Sequence, residues 1–91
     1  MELKFYKAKQ DTEIIKAIEC DEAGNKVRVF AVIVNARHAY DINLVFVSGG
    51  IPSADKWLVI SNEDPEQIIE FPSKEACKDF IKSIYELYEE I

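Results

Sequence analysis

The chain is short of the residues that make loops and special sites. Its 91 residues hold three glycines, three prolines, two cysteines, one histidine, one methionine and one tryptophan. Two distant thiols, Cys20 and Cys77, do not form a disulfide framework, and no C-x-x-C or H-x-x-x-H spacing supports a zinc site. No Gly-rich phosphate loop is present, because Gly49-Gly50 is not followed by Lys-Ser or Lys-Thr. No G-x-S-x-G elbow occurs either, and a single histidine, His38, leaves a nucleophilic triad unsupported. No uninterrupted apolar run exceeds six residues, Val29 to Val34, so no helix is expected to span a bilayer. The opening Met1-Glu2-Leu3-Lys4 has no hydrophobic targeting segment, which gives a cytoplasmic expectation.

Positive charge is also scarce. Eleven basic residues face seventeen acidic ones, a net charge of −6. Residues 1–50 carry seven of each sign, while residues 51–91 carry four basic and ten acidic side chains. All of the excess therefore sits in the second part of the chain. An acidic surface repels phosphate backbones and attracts basic proteins. The bland alternative is a solvated acidic face that serves solubility.

What remains is enough for one small folded domain, 1–91. The chain is 48% apolar and 31% charged, a globular rather than a disordered balance. Short β-branched and aromatic runs read as strands: one from Leu3 to Tyr6, a central one at 27–34, one at 42–47 and a short one at 57–60. The 27–34 run is apolar on both faces, so each face needs a cover. Segment 13–19 reads as helix or strand; the Gly24-Asn25 turn after it favours a hairpin. Segment 66–71 is equally divided, with strand preferred. From Ser73 onward, Cys77, Phe80, Ile81, Ile84, Leu87, Tyr88 and Ile91 recur at helical spacing, with Tyr85 at the border of the stripe. That predicts a helix over 73–90 capped by Ser73. Glu89 and Glu90 at its end oppose the helix dipole.

The resulting fold class is α+β: a strand meander over 2–71, mostly antiparallel with five to six strands, and one C-terminal amphipathic helix packed on it. The order of elements resembles pleckstrin-homology-like domains, in which a strand meander ends in a helix that plugs a bent sheet. The likeness covers element order only. A flatter sheet with the helix lying across it fits the same pattern.

Chemistry-bearing clusters are few. Asp64, Glu66 and Glu70 are close in sequence, but Pro65 and strand geometry splay them, so no acid–base pair or Mg²⁺ site is expected. A three-dimensional Cys20/His38/Cys77 cluster has no local support. No catalysis, metal or cofactor is expected. The leading reading is a small acidic protein-binding module that acts by occupancy. In composition it is similar to immunity proteins and to phage or mobile-element inhibitors that cover a basic, nucleic-acid-binding surface of a target such as a nuclease. Its contact residues are Trp57, Glu63, Asp64, Glu66, Glu70, Tyr85, Glu86, Glu89 and Glu90, on the acidic stretch with aromatic anchors. A homodimeric structural or adaptor role is the second reading, through the uncovered sheet face. The third is a weak single-strand nucleic-acid binder using a Lys4/Tyr6/Arg28 surface.

Overall fold

The structure, a computed structural model, describes residues 1–10, 13–44, 50–62 and 67–89, with side chains as far as Leu87. Five strands form one antiparallel sheet: β1 (Glu2–Lys7), β2 (Ile14–Cys20), β3 (Lys26–Asn35), β4 (Trp57–Ser61) and β5 (Ile68–Phe71). Their spatial order is their chain order, β1-β2-β3-β4-β5. A short helix, α1 (Ala36–Asp41), follows β3, and α2 (Lys74–Glu89) follows β5. This is the α+β arrangement expected, with strand β2 in the divided segment 13–19 and β5 at 68–71 in the other, whose Glu66 lies outside the described residues.

The β2–β3 turn explains why segment 13–19 is extended. Asp21 accepts from the backbone N–H of Asn25 at 2.8 Å, and Gly24 takes a φ of +84°, a conformation open to glycine at no steric cost. The turn folds β2 back onto β3.

Helix α2 covers one sheet face. Cys77 and Ile81 stack one turn apart with Tyr85, all buried, against Ile15, Ala17, Ile33 and Val59. Leu3, Phe5, Trp57, Phe71 and Phe80 border this core. The helix lies across an open sheet, the flatter of the two arrangements. Its N-terminus is closed by Ser73, whose Oγ accepts from the Ala76 N–H at 3.1 Å.

Two expectations are corrected. The first is the strand over 42–47. Residues 45–47 lie outside the described residues, and 42–44 form the turn that follows α1 instead of a strand. Asn35 caps α1 by accepting from the N–H groups of Arg37 and His38. At the other end Asn43 adopts a φ of +59°, its N–H reaching Tyr40 O while Leu44 N–H reaches Ala39 O. That is a Schellman closure with asparagine in the left-handed position. The two capping asparagines define a six-residue helix too short to show a periodic stripe.

The second correction concerns the stripe of α2. Tyr85 is 5% exposed, whereas Ile84 is 37% and Leu87 is 65% exposed. The buried ridge is the four-residue spacing 77–81–85. Ile84 overhangs a groove of about 160 Å³ between α2 and the β4–β5 side, lined also by Ile69, Phe80, Ser61 and Gln67.

The second sheet face has its own small cluster. Val34 and Leu58 pack with Ala36 and Ala39 of α1, flanked by Ile14 and Ile60. The cover that the 27–34 run requires is thus supplied in part by α1.

Candidate functional site

Two β-bulges in β3 decide which charges share a surface. Opposite β2, the register passes from Ala17↔Ala31 to Ile18↔Val29, then from Glu19↔Arg28 to Cys20↔Lys26. Phe30 is the extra residue of the first bulge and Val27 of the second. The first bulge turns Phe30 toward α2, where its ring meets Tyr85 edge-on at 5.2 Å. It also carries Arg28 to that side, within 3.7 Å of Glu19 and with its guanidinium 5.8 Å from the Phe30 ring centre. The second bulge returns Lys26 to the opposite face. Simple alternation groups both Arg28 and Lys26 with Lys4 and Tyr6; the two bulges remove Arg28 and leave Lys26 there.

On that opposite face, Tyr6 stands across from Lys16, and Lys4 lies two residues along β1. Lys26 Nζ sits 4.4 Å from the Tyr6 ring centre, and the Tyr6 hydroxyl is 4.0 Å from Cys20 Sγ. The tyrosine phenol is raised above its ordinary pKa, first by loss of hydration against the sheet and then by its Cys20 contact. It stays neutral at physiological pH.

Helix α2 sorts its charges by side. Lys74 Nζ lies 5.2 Å from the Trp57 ring centre, and Lys78 and Lys82 lie 5.8 Å and 5.9 Å from that of Phe5. Lys74 and Lys78 are half-buried toward these rings, whereas Lys82 is exposed and falls on the arc of Glu75. The outward side keeps Glu75, Asp79 and Glu86, all exposed. At 100° per residue they fall within roughly 40° of one another and span about 16 Å. Among the described residues none of the three makes an ion pair. Exposed Leu87 adjoins them.

Among the described residues, those singled out from the sequence lie apart. Trp57 is half-buried beneath Lys74. Tyr85 is in the core. Glu70 is exposed on β5, paired with Leu58, on the face that carries α1. Glu86 is on the outward side of α2. Glu63, Asp64, Glu66 and Glu90 lie outside the described residues, as does the side chain of Glu89. Glu75 and Asp79 were legible as the polar side of the helix, but the lysines interleaved with them hid their grouping.

Metal and thiol chemistry finds no support in the geometry. Among the described residues no group of three His, Cys, Asp or Glu side chains is placed to hold a metal ion. Cys20 lies under Tyr6, Cys77 in the α2 core across the sheet, and His38 on α1. Burial pushes the Cys77 thiol up to about 11, with the nearby Glu75 charge adding to the rise. No helix among the described residues is long and apolar enough to cross a membrane. Comparison with protein-family models, curated proteins and solved structures found no match.

Proposed function

We propose that the protein is a binding module that docks the outward side of α2 on a basic protein surface and acts by occupying it. The observation that carries this reading is the separation of charge on α2. Lys74 and Lys78 are drawn toward Trp57 and Phe5, so the outward arc holds Glu75, Asp79 and Glu86 against one lysine, the exposed Lys82. Three aligned carboxylates beside an exposed leucine supply long-range attraction and an apolar anchor. A target whose own work requires exposed lysine and arginine, such as a nucleic-acid-binding protein, presents the complementary surface. Inhibition by competition follows from occupancy and needs no catalytic group.

The test compares the wild-type chain with an E75K/D79K/E86K variant and with Leu87→Gln. Each is used to capture proteins from a host lysate at low and high salt. The captured protein's nucleic-acid binding is then measured with and without added chain. The expected outcome is salt-sensitive capture, an association rate lowered about tenfold by the charge reversal, and loss of the target's nucleic-acid binding in the wild-type complex. Capture that survives both high salt and charge reversal defeats the proposal.

A further inference from the structure

The sheet face opposite α2 carries a second surface of the other sign. Lys4 and Tyr6 on β1, Lys16 on β2 and Lys26 on β3 converge there. Lys16 and Lys26 are exposed, and Lys4 and Tyr6 are half-buried. Adjacent strands are about 4.8 Å apart, so three strands present a patch roughly 10 Å wide. The position of Lys26 shows how the tyrosine is presented. A cation 4.4 Å from the ring centre lies over one π-face, so that face is reached by a flexible side chain and not by the packed core. The one acidic side chain that alternation places beside these residues is Glu2, at the end of β1 opposite Cys20; Asp21 and Glu22 follow in the turn.

We infer that this face binds single-stranded nucleic acid, with a base stacked on Tyr6 and phosphates held by Lys4, Lys16 and Lys26. A base and a lysine ammonium compete for the same ring face; the incoming base displaces Lys26, which is long enough to turn to a neighbouring phosphate. The half-exposed ring distinguishes this partner from an acidic protein segment, which needs the lysines alone. It also selects single strands over duplex, because only an unstacked base offers a free face. The overall charge of −6 does not oppose it. The acidic side of α2 is separated from this patch by the sheet and by a helix about 10 Å across, beyond the ≈ 8 Å Debye length at physiological salt.

The experiment is fluorescence anisotropy of labelled oligothymidylate and oligouridylate with the full chain. An abasic oligonucleotide of equal length and a polyglutamate peptide serve as competitors. Micromolar binding is expected, falling roughly 20-fold for about a fourfold rise in salt if three phosphates are neutralised. The K16Q/K26Q variant weakens binding and flattens the salt dependence. Tyr6→Leu lowers affinity about tenfold, and Tyr6→Phe restores it. Circular dichroism and Tm verify folding of each variant; should Tyr6→Leu not fold, K16Q/K26Q and the abasic competitor decide. Unchanged affinity in K16Q/K26Q overturns the assignment. So does equal competition by the abasic strand or by polyglutamate, the latter making the face a dock for acidic protein.

Discussion

Asn35 is a buried polar side chain that ties two parts of the fold together. It is 7% exposed and ends β3. Its Oδ1 accepts from the Arg37 and His38 N–H groups at 3.1 Å and 3.2 Å, and its Nδ2 donates to Ala54 O at 2.8 Å. One amide thus caps α1 and anchors the segment that leads into β4. Asn35→Ala is expected to cost about 1–2 kcal/mol, a Tm loss of roughly 4–16 °C for a domain this small. Asn35→Ser restores the cap but cannot reach Ala54, so chemical denaturation places it between the two. Cys77 makes a second expectation at this scale. Its folded pKa of about 11 lies above the ordinary value of 9.0. The buried neutral thiol is therefore fully favourable below pH 9, and stability falls as pH rises from 9 toward 11, because the unfolded chain loses its proton first. Denaturation curves across that window, wild type against Cys77→Ala, should show the decline reduced in the variant. The wild-type thiol should also resist alkylation until the chain unfolds.

At the scale of elements, α2 shows how far a helical pattern can be read. The stripe itself was legible, and Cys77 and Ile81 fall where the spacing puts them. Which neighbours join them depends on the width of the sheet beneath. Tyr85 gains the Phe30 ring as a partner only because a bulge turns Phe30 over. Ile84 lies toward the short β5 and overhangs it, and Leu87 is left exposed. Ile81→Ala should therefore cost about 2–5 kcal/mol, while Leu87→Gln should change stability by no more than about 0.5 kcal/mol. Urea titration of the two variants checks the ridge directly. Equal losses would restore the broader stripe. The strands were legible for the same reason as the helix, by composition and turn residues. Helix α1 was not, since its signal lay in Asn35 and Asn43 rather than in any apolar rhythm. The two faces of β3 were legible only as far as the first bulge. Nothing in Val27-Arg28-Val29-Phe30 announces a shift that exists to fit Phe30 against Tyr85.

At the scale of the molecule, the sum of −6 conceals an arrangement with two signs. Carboxylates of α2 look outward from one layer, and lysines of β1 to β3 look outward from the other. The division between the two parts of the chain that the sequence suggests becomes a division between two sides of the fold. Its origin is physical: Lys74 and Lys78 are drawn toward rings of the sheet, which leaves the exposed acids of α2 in excess. Of the aromatic residues singled out from the sequence, Trp57 lies 5.2 Å from Lys74 Nζ, and Tyr85 is buried on the sheet side of α2.

The strand order has one more consequence, for synthesis. Each strand of the sheet pairs with its predecessor in the chain, so the sheet can assemble vectorially as the polypeptide leaves the ribosome. The helix that covers Ile15, Ala17, Ile33 and Val59 follows all five strands. Until α2 emerges, a nascent chain displays a bare apolar sheet with two open edges, and that interval is when holdase chaperones should engage it. A chain stalled after Phe71 is expected to co-purify with such chaperones or to aggregate. Extending the stalled chain far enough to release Leu87 from the exit tunnel should abolish both, as pulse proteolysis of arrested ribosomes would register.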